Sequence, residues 1–350
     1  MDYLINHYEE IITPIGFEII SKASEKLFAV SNNKKWGFID CNGKQIIQIQ
    51  YDQAWPFSNG LAFVKRGSSS GFVDHNNELV VPFSKRMVRS YREGLVALCE
   101  NGKWGYLNKH NETVIAPKYH DVWDFHEGFA GVRYKDKMGF VNQQGEELLA
   151  PLLYDLVDDF VEGYARVSRN GKFGFINPSG AEVIPCEYES AWNYSEGLAA
   201  VNKKGKWGFI NYQNDVVIDF VFENTSIAFN EGLCGVVINN KMGFINKSGT
   251  LQIPYIYDAT LIINECYHDF KNGYCPVKLI NTEKHIYIDY DGNQLGGLFD
   301  LAYGFTEKKG LVVNENKWGY INTEGNLSIP CKYQHADFFS NGVGIVKKNN

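Results

Sequence analysis

The chain has 350 residues, 44% hydrophobic, 15% aromatic and 21% charged, enough apolar material for a buried core and unlike the composition of a disordered protein. Its 34 basic and 41 acidic side chains leave a net charge of −7 and are scattered along the chain, so no basic stripe could follow a phosphate backbone and nucleic acid is not expected as a partner. No run of about 18 apolar residues predicts a membrane helix, and the start of the chain, with Asp2, Glu9 and Glu10, does not read as a secretion signal. A cytoplasmic protein without membrane contact is expected. No linker rich in Pro, Gly or Ser divides it.

Residues 1–16 admit two readings. Leu4, Ile5, Tyr8, Ile11 and Ile12 follow helical spacing and predict a short N-terminal cap. Alternatively, Tyr3-Leu4-Ile5-Asn6 is a diverged copy of the unit that fills the rest of the chain, with Pro14 placed after Asn6 as Pro254 is after Asn246, and Phe17 in the place of Tyr257.

Residues 17–254 are periodic. A cluster of the form Lys-Trp-Gly-Phe-Ile-Asn recurs with its glycine at Gly37, Gly71, Gly105, Gly139, Gly174, Gly208 and Gly243, and again at Gly319. The first four are 34 residues apart. A helical repeat could share that period, but hairpin turns interrupt every module and leave no run long enough for a helix pair. Each cluster follows an apolar run opened by a second glycine: Gly60, Gly94, Gly128, Gly163, Gly197, Gly232, Gly273, Gly310 and Gly342. Two such runs joined by Asn, Gly and Lys predict a β-hairpin.

Each Phe-Ile-Asn run ends in Asp or Asn, with Gly or Asn three residues later, from Asp40 and Gly43 to Asn322 and Gly325. The first side chain bonds its own backbone and the second tolerates positive φ, so the column predicts a turn and not a ladder of calcium ligands. A third strand follows, often ending in Ile-Pro as at Pro185, Pro254 and Pro330, where the proline is expected to end pairing. An aromatic residue and an acidic one come next, as in Tyr51-Asp52 and Tyr154-Asp155, before a short fourth segment.

The residues Lys35-Trp36-Gly37-Phe38-Ile39-Asp40, Lys103-Trp104-Gly105-Tyr106, Lys206-Trp207-Gly208-Phe209 and Lys317-Trp318-Gly319-Tyr320 resemble the WG (KWG) β-repeat family of bacterial proteins. Ser70, Met138, Phe173 and Met242 depart from it at the tryptophan. The resemblance implies a non-catalytic repeat array. The expected fold is all-β: about ten tandem three-to-four-stranded β-meander repeats forming an open β-superhelix or solenoid, with a closed β-propeller-like ring as the alternative. The ring would need the strand Gly342-Val343-Gly344-Ile345-Val346-Lys347 to pair with the N-terminal copy.

Residues 255–301 form a degenerate repeat with an insertion, in which His285-Ile286-Tyr287-Ile288-Asp289 replaces the signature and Asn264 to Asp269 is irregular. Cys266, His268, Asp269 and Cys275 match no metal-ligand spacing. The seven cysteines, an odd number, predict no disulfide framework and read as small buried apolar residues. Residues 302–350 carry a last repeat and the terminal strand.

All seven tryptophans fall in two columns. Trp36, Trp104, Trp207 and Trp318 precede the signature glycine and are expected in the core. The second column, counted five residues back from the next glycine, reads Trp55, Arg89, Trp123, Asp158, Trp192, Ile227, His268, Phe305 and Asp337. Such variety suits a surface, and Trp55, Arg89, Trp123, Asp158, Trp192 and His268 are the candidate binding residues. Packing between modules is the competing structural reading. No nucleophile elbow, phosphate loop or metalloprotease motif occurs, so no catalytic residue, cofactor or metal is expected. The expected role is a scaffold for protein–protein interaction, one class of partner being a toxin or effector it captures or neutralises. Binding of a carbohydrate or nucleotide-derived ligand through the aromatic column is the alternative, and an enzymatic site in residues 255–301 the third.

Overall fold

The computed structural model describes residues 1–13, 16–148, 153–260 and 269–348. They form 37 strands in ten antiparallel sheets of three or four strands, each sheet built from strands consecutive in sequence except the one that joins the two ends of the chain. Contacts divide the chain into two compact units: Met1–Leu4, Ile11–Gly171 and Phe175–Glu182 in one, and Ile5–Glu10, Lys172–Gly174 and Val183–Asn350 in the other.

The module is clearest in the sheet of Ile19–Ile20, Leu27–Asn32, Lys35–Asp40 and Gln45–Tyr51. Ten turns follow one rule. Asp40 Oδ1 accepts the N–H groups of Asn42 and Lys44, each at 2.9 Å, and Gly43 has φ +75°. Asn6 accepts from Tyr8 and Glu10 in the same way, at 3.0 and 2.9 Å, with Glu9 at φ +68°. The N-terminal segment is therefore the diverged copy: Asp2–Asn6 is a strand, Leu4 and Ile5 are fully buried, and Asp2 pairs with Phe17 as Trp36 pairs with Tyr51. The helical cap is corrected: Leu4 and Ile5 are consecutive residues of a strand, point to opposite faces and are both buried, so both faces of that strand are covered. Pro14 lies outside the described residues.

Signature glycines mark a close approach of backbone. The third strand bulges opposite them, so a Cβ on Gly37 or Gly319 would lie 2.6 Å from the carbonyl oxygen of Ile47 or Ile329. The bulge also absorbs the proline. Pro185, Pro254 and Pro330 lie inside the strands Glu182–Tyr188, Leu251–Asp258 and Leu327–Tyr333 and do not end them. Each of these strands is the outer one of its sheet, where a missing N–H costs no ladder bond.

Cores form between successive sheets. Leu27, Ala29, Phe38, Ile47 and Tyr51 of the first sheet pack on Ala54, Phe57, Ala62, Val64 and Val73 of the second. One edge-to-face ring pair recurs at these junctions: Phe38 with Phe57, Tyr106 with Phe125, Phe209 with Phe229 and Tyr320 with Phe339, centroids 4.9 to 5.1 Å apart. Such a pair adds about 0.5–1.5 kcal/mol to the burial of its rings.

The strand order separates the two expected architectures. Asp2–Asn6 lies beside Val343–Lys347, which pairs with His335–Ala336. The terminal strands complete one sheet, as the propeller-like alternative requires and as an open stack does not; the expected open superhelix is corrected on that point.

Candidate binding groove between modules

Signature lysines are the first polar residues to find partners. Lys35 Nζ donates to Asp52 Oδ1 at 2.6 Å, and Asp52 Oδ2 accepts the N–H of Gly67 in the following hairpin at 2.6 Å. Lys137 with Asp155 and Lys284 with Asp300 repeat the pair, and the hydrogen bond from lysine is the main cause that holds all three carboxyls below the usual aspartate range. The acidic residue after the third strand is thus a junction clamp.

Second-column side chains stand two residues before the recurrent core ring. The structure corrects two members of the column. Tyr287 Oη donates to the carbonyl of Tyr303 at 2.6 Å, as Tyr106 does to Trp123 and Tyr320 to Asp337. Tyr303 therefore holds the position, and Phe305 is a fully buried core ring packed on Tyr287. Counting from Gly310 misplaced it: Lys308, at φ +63°, takes the turn position that glycine holds in most modules and Lys26 in the first. Ser226, whose N–H bonds Gly235 O as that of Trp55 bonds Phe63 O, holds the place expected for Ile227, since one extra residue precedes Phe229. His268 lies outside the described residues.

In the first unit, Trp55 and Trp123 are 47% and 37% exposed. Trp55 stacks on Phe63 at 4.5 Å. Arg89 lies between them in sequence with its guanidinium 3.7 Å from the ring centre of Trp104. Its Nη1 donates to Asp121 Oδ1 at 3.0 Å and to the carbonyl of Val122 at 3.2 Å. Asp158 is half-buried and bonded to Arg166. Next to it, burial pushes the Asp159 carboxyl up, and Asp158 and Asp124 add to this against the pull of His126, 3.3 Å away. In the second unit Trp192 stacks on Trp207 with rings 7° from parallel, and Tyr303 on Trp318 at 5.3 Å.

First-column tryptophans are only partly core. Trp104 is buried, whereas Trp36, Trp207 and Trp318 are half-buried. A second-column side chain covers Trp104, Trp207 and Trp318. Over Trp36 that position is Ser21, and a groove of about 490 Å³ opens there, lined by Glu18, Ile19, Trp36, Asp52, Gln53 and Trp55 among others. A smaller one of about 260 Å³ lies between Arg89 and Trp123. Column counting finds Trp55 but not the groove, whose lining residues come from two successive modules.

Cys234 and Cys275 are buried, and Cys41, Cys99, Cys186 and Cys331 half-buried. Among the described residues no group of three or more His, Cys, Asp or Glu is placed to hold a metal ion, and no helix is long and apolar enough to cross a membrane.

Small antiparallel meanders with aromatic grooves at their junctions define an all-β repeat scaffold. The WG containing repeat model matches residues 36–68, 71–104, 104–137, 138–173, 173–207, 207–241, 242–281 and 318–350, and the chain belongs to that family. No curated protein matches it in sequence. Among solved structures it is similar to one described as a eukaryotic initiation factor, at 12% identity and a TM-score of 0.52, over 86% of this chain and 97% of that one. That likeness concerns the fold alone. BamB from Moraxella catarrhalis (11% identity, TM-score 0.39, 80% and 91% covered) and Hsv2p of Kluyveromyces lactis (8%, 0.34, 77% and 96%) are more remote and carry no argument.

Proposed function

We propose that the protein is a non-catalytic scaffold that holds a protein partner on the second-column face of its first unit, a toxin or effector of the cytoplasm being the class of partner it would sequester. One observation carries this reading: Trp55 and Trp123 are large, exposed indoles on either side of Arg89 in the chain, Trp55 held by its N–H on the Phe63 carbonyl and Trp123 by its carbonyl on the Tyr106 hydroxyl. Rigid exposed tryptophan and arginine are the residue types that dominate binding energy at interfaces, because they bury much area at little entropic cost.

Affinity capture with mass spectrometry, comparing the wild type with Trp55→Ala/Trp123→Ala, tests it. The variant is expected to keep its cooperative melt and to lose the captured partner by at least about tenfold. Undiminished capture, or a variant that does not fold, counts against the proposal. The groove at Trp36 favours the second reading, a small ligand, since its volume falls within the usual range for such sites. A sugar or nucleotide that raises the melting temperature, with no protein captured, would establish that reading instead.

A further inference from the structure

The four signature tryptophans differ in what lies on their exposed face. Trp104 carries the guanidinium of Arg89, Trp207 carries Trp192, and Trp318 carries Tyr303. Trp36 faces the groove, because Ser21, the residue at the same place in its module, is too short to reach it. Its hydroxyl instead accepts the N–H of Ala29 at 2.9 Å, within its own sheet.

The junction at Trp104 shows what fits such a place: a planar cation on the indole face, an acidic partner in Asp121 and a carbonyl acceptor in Val122. At Trp36 the position of Asp121 is taken by Gln53, but two carboxylates, Glu18 and Asp52, join the lining against one ammonium, Lys34. Asp52 is shared with Lys35 and Gly67 N–H, while the Glu18 carboxylate has a single long hydrogen bond, 3.4 Å, from the Lys34 N–H. The negative face of an indole repels anions and attracts cations, and a guanidinium, flat and weakly hydrated, stacks there better than an ammonium.

We infer that the groove over Trp36 takes the guanidinium of an arginine side chain presented by the protein partner, occupying the place that Arg89 fills over Trp104. The inference rests on the protein-binding reading above. Trp55 closes the groove on the side of the next module, and Glu18 and Asp52 supply the acceptors.

The test follows indole N–H signals by nuclear magnetic resonance while N-acetyl-arginine methylamide is added, with the lysine analogue as control. Wild type is expected to show saturable shifts at Trp36 and Trp55, stronger for arginine than for lysine. Ser21→Arg should fill the groove with its own side chain and weaken binding at least about tenfold. Arg89→Ser should uncover a second site, reported by Trp104, and serves if Ser21→Arg does not fold. No saturable shift at Trp36, or equal binding by wild type and a folded Ser21→Arg, overturns the inference. In the capture assay, loss of partner in Ser21→Arg as well as in Trp55→Ala/Trp123→Ala supports both readings. Retention by Ser21→Arg alone overturns the arginine site and leaves the scaffold standing.

Discussion

Gly319 shows how much a single position decides in each module. Its neighbour across the bulge is a carbonyl oxygen, and 2.6 Å leaves no room for a methyl group unless the third strand moves away. Gly319→Ala should therefore destabilise by about 1–3 kcal/mol, as overpacking against rigid backbone does. Urea denaturation should show the midpoint falling with little change in slope; an unchanged midpoint would mean the bulge yields at no cost. The ten Asp and Asn turns are equally local. Each satisfies two backbone N–H groups with one side-chain oxygen, so the column is visible in sequence without any knowledge of tertiary structure.

Strands and turns are linked along each unit by a second set of bonds that sequence spacing does not reveal. The glutamate that opens one of these turns reaches the next module and accepts the N–H of its turn glycine: Glu25 to Gly60, Glu93 to Gly128, Glu196 to Gly232 and Glu307 to Gly342. Glu231 accepts from Asn272 at 2.8 Å, Gly273 at 3.0 Å and the phenol of Tyr290 at 2.8 Å. Glu231→Ala is expected to accelerate hydrogen exchange at the amides of Asn272 and Gly273 while leaving the Gly60 amide unchanged. Exchange that rises equally at all turns would show general loosening and refute a local clamp. The same element scale explains the misplaced column members. Counting back from a glycine assumes constant spacing, and a lysine in the turn or one added residue before Phe229 breaks it; the buried ring two positions on restores the register at Phe305, and the backbone bond of Ser226 to Gly235 restores it before Phe229.

Buried tyrosines set the alkaline limit of the whole molecule, because they recur in both units. Burial is the main cause that pushes the phenols of Tyr119 and Tyr188 up to about 12. A raised pKa means that the fold favours the protonated form. Their contribution is intact below the unfolded value near 10 and is lost as pH rises toward about 12. Stability measured by denaturant should be level up to about pH 9 and decline between about pH 10 and 12, with phenolate absorbance rising in the same interval. Stability that holds through that interval would show the phenols are more accessible than the fold implies. The N-terminal segment belongs to this scale too. Within the second unit, Glu9 Oε1 accepts from Tyr333 Oη at 2.7 Å and pairs with Lys332 at 2.5 Å, and His7 stacks on Phe339.

Sequence by itself determined the all-β class, the module, its turns and its family, because those rest on local rules repeated many times: alternation in strands, side-chain oxygens at turns, glycine where φ is positive. It also singled out Trp55 and Trp123, while placing Trp36 in the core. Tertiary structure alone decided that Asp2–Asn6 joins the last strand, that Tyr303 and not Phe305 stands at the junction, and that the place over Trp36 is open while that over Trp104 is filled. Each of these depends on which side chain meets which across a junction, and on its length, and such meetings have no fixed spacing along the chain.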